Sequence, residues 1–429
     1  MSRHPYLIIG NSTAAMGAVE GIRQADPSQP ITLVARESEH TYSRPLISYW
    51  LAGKVDDHRM AYRPEDFYPA HGVEALLGVE ATGIDLDTRA VTLADGRALG
   101  FDTLLLAVGG RPIVPRDLAG SDAAGVFTFT TWEEARALKD YIAEHDVREA
   151  VVVGGGLIGL KAVEALQALG LRATVIELAD RILSATFDQT ASDLAQALLA
   201  RGGIAVRCQT TVTEIERRED AVAGVALSDG TRIPCGLVIF AIGVRPDLRL
   251  VAGTSIAVDA GILVDEHLQT NVSGIYAAGD VAQAADLLTG KQRPIAIFPN
   301  AFRQGLIAGN NMAGRTRVYE GGLAMNAVAV AGVPTMSVGL TAADDPECEA
   351  LSTLDPEAPN YKKIVLYRDR IVGAIFIGNV DRAGIITGLI RGKINVAGFK
   401  DLLLTDDFGL ISLPAEYRKH VVSGMGIEV

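Results

Sequence analysis

Two stretches of the chain repeat one hydrophobic pattern. An apolar run at residues 6–9 gives way to Gly10-Asn11-Ser12-Thr13-Ala14-Ala15, apolar residues then recur at helical spacing to about Gln24, and a second apolar run covers 31–35. Residues 150–153 lead in the same way into Gly154-Gly155-Gly156-Leu157-Ile158-Gly159, a helical pattern to about Leu169 and a run at 173–176. Short continuous apolar runs read as buried strands, and a 3.6-residue period reads as helix. Each stretch therefore predicts strand, glycine turn, helix and strand, the opening of a parallel βαβ unit.

The repetition continues beyond these openings. Residues 78–112 and 211–246 both alternate, turn at an acidic-Gly pair (Asp95-Gly96 and Asp229-Gly230), and end in an apolar strand followed by Gly-x-Arg-Pro, with Gly109 and Gly243 leading the two motifs. A duplicated unit of this size is too long for a solenoid period. It predicts two dinucleotide-binding domains, each a parallel sheet with an antiparallel three-stranded insertion. A further strand at 274–278 and a helix from about Pro299 to Met312 return to the first domain. From Tyr319 the texture changes: alternating segments at 324–331, 363–367 and 372–377 predict an antiparallel sheet, with helical stretches near 381–390 and 397–404. The boundaries expected are 1–115 with 247–317 for the first domain, 116–246 for the second and 318–429 for a third.

Composition narrows the class. The 429 residues are 48% hydrophobic and include 45 glycines, which excludes a disordered chain and suits an α/β protein rich in tight turns. The net charge of −13 argues against a general nucleic-acid binder. The three cysteines, Cys208, Cys235 and Cys348, form no C-x-x-C and cannot build a disulfide framework. The seven histidines are scattered, so no metal site is expected. No signal peptide or membrane span is legible, and a cytoplasmic location is expected.

The glycine turns carry the chemistry. A pyrophosphate docks where backbone N–H groups and the positive end of a helix point outward, and side chains obstruct that approach. Gly154, Gly156 and Gly159 satisfy G-x-G-x-x-G after a predicted strand, with Ile158 inside the turn. Glu177 follows about 20 residues on, where a carboxylate accepts from ribose hydroxyls. That carboxylate would repel a 2′-phosphate, so NADH is expected over NADPH, with Arg181 as the one nearby cation. The first turn is degenerate: Ser12 stands for the second glycine and Ala15 for the third. The spacing to Glu37 and the duplication support the same role for Gly10, Ser12, Ala14 and Ala15.

Taken together, the two turns, the motifs at 107–112 and 241–246, and Ile275-Tyr276-Ala277-Ala278-Gly279-Asp280-Val281 resemble the two-dinucleotide-binding-domain flavoproteins related to pyridine nucleotide-disulfide oxidoreductases. The fold this implies is α/β, with two Rossmann-like domains and a C-terminal α+β interface domain. The resemblance implies FAD at the first turn and the nicotinamide nucleotide at the second. It also implies Gly279 and Asp280 at the FAD ribityl chain, and a helix beginning near Pro299 directed at the flavin ring. Residues 42–48, Tyr-Ser-Arg-Pro-Leu-Ile-Ser, are similar to a segment of the rubredoxin- and ferredoxin-reductase branch, and of the nitrite reductase large subunit. By that resemblance Arg44 and Pro45 line the FAD.

Two departures bear on the chemistry. Relatives with redox-active cysteines carry them near the flavin segment, whereas the first cysteine here is Cys208. Related reductases also commonly carry Lys where this chain has Tyr49, and Glu where it has Lys161. The resemblance implies that these positions face each other beside the flavin, so Lys161 is expected to supply the missing cation, with Lys54 as the alternative. The expected function is an NADH-dependent reductase passing electrons from FAD to a redox carrier or a partner reductase subunit. A small acceptor such as oxygen, a quinone or a peroxide is one alternative, and a flavin-containing regulatory protein is another. Residues 361–400 hold eight basic and two acidic side chains in an otherwise acidic sequence. An acidic carrier is therefore expected to dock near Lys362, Lys363, Arg391 and Lys393.

Overall fold

The computed structural model describes residues 3–413 apart from Arg116, Asp344, Pro356, Asp406 and Asp407. The chain divides into two compact units. One comprises Met1–Gly154, Lys161–Ala173 and Val212–Gly322, and the other Gly155–Leu160, Thr174–Thr211 and Leu323 onward.

In the first unit, β1 (Arg3–Ile9), α1 (Thr13–Ala25) and β2 (Ile31–Ala35) realise the opening pattern. The short helix α2 (Ile47–Leu51) follows, and then β3 (Val73–Leu77), β4 (Ala81–Asp85), β5 (Ala90–Leu93) and β6 (Ala98–Leu106). The sheet order is β3-β2-β1-β6-β5-β4. Leu7, Ile8, Ile31, Leu33, Leu104 and Leu105 are fully buried, as expected of parallel strands covered on both faces. Tyr6 pairs with Ile31 on one side and Thr103 on the other. In the predicted insertion β5 runs antiparallel to β6 and β4 antiparallel to β5, so both extend the same sheet.

The strand β7 (Gly110–Pro112), the helix α3 (Trp132–Glu144), the strand β8 (Glu149–Val153) and the helix α4 (Leu157–Ala168) come next. β9 (Leu237–Phe240) lies parallel between β8 and Val126–Thr128. The second insertion is a separate antiparallel sheet, Val212–Arg218, Ala221–Leu227 and Arg232–Pro234. β10 (Val244–Pro246) pairs antiparallel with β7, Arg245 opposite Arg111. Thus the two Gly-x-Arg-Pro repeats bond to each other. The carbonyl of Gly109 accepts from the amide of Asp247, and that of Gly243 accepts from Ile113, both at 3.0 Å. β11 (Ile275–Ala277) joins the first sheet beside β6, and α5 (Phe298–Met312) follows.

α1 and α5 lie backbone against backbone. A Cβ on Gly17 or Gly21 would fall inside a carbonyl of α5, and one on Gly305 or Gly309 inside a carbonyl of α1. Four glycines at four-residue spacing therefore bring the N-termini of these helices close together. Gly279 completes the approach, since a Cβ there would lie 3.1 Å from that of Ala14.

In the second unit, residues 174–176 pair parallel with Ala205–Arg207, and the helix Gln189–Arg201 lies between these strands in sequence. The C-terminal part is a five-stranded antiparallel sheet. Its strands are β12 (Met325–Val330), β13 (Val333–Gly339), β14 (Cys348–Asp355), β15 (Asn360–Tyr367) and β16 (Arg370–Ile377), in the order β12-β13-β16-β15-β14. α6 (Ala383–Arg391) packs on β16. The helix expected at 397–404 is only a 3-10 turn, Lys400–Leu402. Among the described residues, no helix is long and apolar enough to cross a membrane.

Candidate functional site

Both glycine turns are fixed by the same contact. Gly10 has φ +125° and faces the carbonyl of Ala107 so closely that a Cβ would overlap it; Gly154 has φ +112° and faces Ala241 in the same way. Only glycine combines that dihedral with that approach. Ser12 is the N-cap of α1, but its side chain caps no amide, so the first-turn N–H groups are left for another acceptor. Ala14 and Ala15 are buried, the latter fully, where a small residue lets the helix sit close to the sheet. The N-terminus of α5 likewise carries no side-chain cap.

Glu37 stands two residues past the end of β2 and is engaged on both oxygens, one by the guanidinium of Arg44 and the other by the hydroxyl of Tyr42. Arg44 also donates to the carbonyl of Thr130 at 2.9 Å. Burial first, and Glu37 after it, push the Tyr42 hydroxyl far above the ordinary tyrosine range, although Arg44 opposes the shift, so it stays a donor. Sequence reasoning placed Glu37 and Arg44 in the site but missed their pairing. Each carboxylate oxygen keeps a second acceptor position for a ligand hydroxyl. Pro45 is exposed beside Arg44.

Asp280 follows Gly279, whose amide donates to Gln304 on α5 at 2.8 Å. Burial raises the Asp280 carboxyl above its ordinary value, and Arg44 partly offsets this. A group held with a raised pKa costs stability as pH rises. Three buried polar atoms in the same unit, His40 Nε2, Thr41 Oγ1 and Trp132 Nε1, have no hydrogen-bond partner. Uncapped helix termini, a buried carboxyl and unpaired polar atoms together fit a dinucleotide at the first turn.

At the second turn, Glu177 accepts from the amide of Gly155 at 2.6 Å and from that of Ala179 at 2.7 Å. The carboxylate thus touches the turn the sequence assigned to it. Gly156 has open space where a Cβ would stand, Ile158 is half-buried and Gly159 is buried. Gly109 and Gly243 are the positive-φ residues that lead into the β7–β10 ribbon.

Tyr49 is 36% exposed on α2, with the Lys54 ammonium 6.0 Å from its ring centroid. Lys161 is half-buried on α4 and pairs with Glu164 one turn on, at 2.5 Å. The i,i+3 spacing made this partner legible in the sequence. A lysine near the positive end of a helix is electrostatically unfavourable, and Glu164 offsets that.

Two of the four expected docking lysines and arginines are corrected. Neighbouring strand residues point to opposite faces, and on β15 both faces are covered. Lys362 is 8% exposed, and Lys363 turns the other way to pair with Asp188 at 2.9 Å. Neither presents a charge to a partner protein. Arg391 and Lys393 are exposed.

The profile described as pyridine nucleotide-disulphide oxidoreductase matches residues 4–305, and that of the rubredoxin NAD+ reductase C-terminal domain matches 325–394. The chain is 31% identical to subunit epsilon of an NADH-dependent phenylglyoxylate dehydrogenase from Aromatoleum evansii, over 91% of this chain and 92% of that one. It is 31% identical to a rubredoxin-NAD(+) reductase of Pseudomonas putida, over 72% and 80%. Its fold matches the crystal structure of a covalent putidaredoxin reductase–putidaredoxin complex with a TM-score of 0.83 and 27% identity, covering 92% of this chain and 94% of that one.

Proposed function

The chain belongs to the pyridine nucleotide-disulphide oxidoreductase family, and from that premise we propose an NADH-dependent flavoprotein reductase whose electrons leave for a second protein, either a small redox carrier or a partner reductase subunit. Bound FAD supplies the chemistry, accepting hydride from NADH and releasing electrons singly or in pairs. The absence of any cysteine before Cys208 carries the choice of an external acceptor: no thiol stands in the flavin segment to take the electrons within the chain. The name of the rubredoxin NAD+ reductase C-terminal profile at 325–394 supports a carrier, and that of the subunit epsilon relative supports a partner subunit.

In this reading Gly10, Ser12, Ala14 and Ala15 present backbone amides to the FAD pyrophosphate. Glu37 takes the ribose, while Arg44, Pro45 and Gly109 border the flavin and Gly279 with Asp280 holds the ribityl chain. Gly154, Gly156, Ile158 and Gly159 take the NADH pyrophosphate and Glu177 its ribose, with Gly243 bordering that site. The reading carries a cytoplasmic location with it, where NADH is supplied.

Anaerobic stopped-flow mixing of the NADH-reduced protein with candidate acceptors tests it. Rubredoxin- or ferredoxin-type carriers, or the partner subunit, should reoxidise it fastest. Faster reoxidation by oxygen or a quinone than by every protein acceptor would overturn the assignment.

Lys161 is assigned beside the flavin, where its charge favours the reduced form. Lys161→Ala should lower the flavin midpoint potential by about 30 mV, since about 1.4 kcal/mol corresponds to that shift in a two-electron couple. Glu164→Gln should move the potential the opposite way. Spectroelectrochemical titration measures both, and an unchanged potential in Lys161→Ala returns the lysine to helix packing alone.

The acidic carrier is assigned to the face bearing Arg391 and Lys393. Reversing both to Glu should slow carrier reduction and weaken its salt dependence, because exposed charges are screened within about 10 Å at 0.1 M salt. NADH oxidation in the first half-reaction serves as the internal reference. Identical carrier rates for the variant and the wild type at low salt would exclude this face.

A further inference from the structure

Each Gly-x-Arg-Pro motif places an arginine immediately before a proline, and a residue in that position is held in extended backbone. The two motifs pair as β7 and β10 with Arg111 directly opposite Arg245. Backbone hydrogen bonds close the ribbon on both sides of that pair. The amide of Asp247 donates to the carbonyl of Gly109, and that of Ile113 to the carbonyl of Gly243, both at 3.0 Å. Directly opposed residues of an antiparallel pair share a face, with Cβ atoms about 4.5–5.5 Å apart. Two like charges are therefore fixed side by side, an arrangement that costs stability unless something offsets it.

The surrounding residues supply little offset. Neither guanidinium makes a hydrogen bond or an ion pair among the described residues. Asp247, two residues past Arg245, is engaged by Arg249, which donates from Nε to one oxygen at 2.9 Å and from Nη2 to the other at 2.7 Å. Burial pushes the Asp247 carboxyl up, but Arg249 first and Arg111 after it hold it below the ordinary carboxylate range. Arg111 thus shares a counter-ion already taken, and Arg245 has none. Arg111 is half-buried and Arg245 exposed, so solvent reaches both. The backbone beside them is bare. Gly109 has open space where a Cβ would stand, and at Gly243 a Cβ would meet only the Ile113 Cδ1 methyl at 3.6 Å.

We propose that Arg111 and Arg245 form a binding site for a free tetrahedral oxyanion of the phosphate or sulfate class, held between the two guanidiniums. The planar fork of arginine matches such an anion and makes charge-assisted, often bidentate bonds to it. Bound there, the anion turns a repulsive pair into a bridge between the two copies of the repeat. The site is separate from both glycine turns and does not depend on which nucleotide either turn holds.

Titration with inorganic phosphate tests the proposal. It is done on the FAD-loaded protein with saturating NAD+ to occupy the second turn, and with chloride holding the ionic strength constant. Phosphate should bind saturably, and Arg111→Gln or Arg245→Gln should each weaken it by about tenfold, the scale of one charge-assisted bond. Arg201→Gln, which removes the same charge from the exposed end of the helix Gln189–Arg201, should bind as the wild type does. Thermal melts give a second readout. In chloride alone the ribbon variants should melt above the wild type, because a like charge has been removed; in saturating phosphate they should melt below it. Phosphate also stabilises folded proteins generally, but alike in all of them, so a change of order reports the site. No saturable binding to the wild type, an affinity unchanged in both ribbon variants, or the same melting order in chloride and in phosphate overturns the proposal.

Discussion

Gly10→Ala should yield protein with little bound flavin and a sharply lowered melting temperature. The new Cβ would enter the carbonyl of Ala107 at the end of the neighbouring strand β6, at a φ of +125° that L-residues rarely adopt. Neither problem can be relieved by a side-chain rotation, because the backbone fixes the Cβ position and the atoms it meets are those of a backbone carbonyl. A strained dihedral costs on the order of 1–3 kcal/mol and overpacking a similar amount, and the two add. Gly154→Ala meets the same geometry against Ala241 and should behave alike. Gly156→Ala is the contrast: open space surrounds the added methyl, so the fold and flavin content should be retained while NADH binds more weakly. Flavin absorbance per polypeptide and thermal melts distinguish the three. Wild-type flavin content and melting temperature in Gly10→Ala would refute the argument.

Asp188→Ala should destabilise the second unit by about 2–4 kcal/mol, combining a lost N-cap with polar groups left unpaired in a half-buried site. Asp188 caps the helix Gln189–Arg201 through the amide of Ala191 at 3.0 Å. It also accepts from the Tyr361 hydroxyl at 2.7 Å and from Lys363 at 2.9 Å, two same-face residues of β15. Burial raises the Asp188 carboxyl, but the Ala191 amide, Lys363 and Tyr361 together outweigh it and hold the pKa below its ordinary value. A depressed carboxylate stabilises the fold above its unfolded pKa, and that contribution is lost as pH falls through the folded one. The difference in stability between wild type and Asp188→Asn should therefore be largest near neutrality and shrink below about pH 4. Asp188→Asn keeps a competent cap, so it should lose less than Asp188→Ala. Equal stability of all three proteins at pH 7, by denaturant unfolding, would show that the cluster is ornamental.

The sequence made the glycine turns, the Gly-x-Arg-Pro repeats and the return of the chain to its first sheet legible because each is a local signal. The pairing of the two repeats with each other was not, since strand partners far apart in sequence leave no periodic trace. The Gly17, Gly21, Gly305 and Gly309 spacing was present on both helices, but only the structure shows that the two faces meet. The basic cluster at 361–400 misled for a physical reason: charge counts say nothing about which strand face is covered, and Lys363 finds its counter-ion 175 positions away at Asp188. Residues 397–404 carry a helical pattern, yet Gly398 interrupts it, and Lys400 is drawn to Glu349. What survives there is one tight turn.

The β7–β10 ribbon limits how this protein can be taken apart. A modular enzyme built by duplication invites excision of one copy, such as the segment between Gly-x-Arg-Pro motifs. Here each motif supplies the other's only ladder partner among the described residues, and each copy's glycine carbonyl is satisfied by an amide just past the other's proline. A fragment carrying one copy would expose an unpaired edge at its cut end, a template for association with other chains. Recombining such halves between relatives would need the two motifs to be transplanted as a pair.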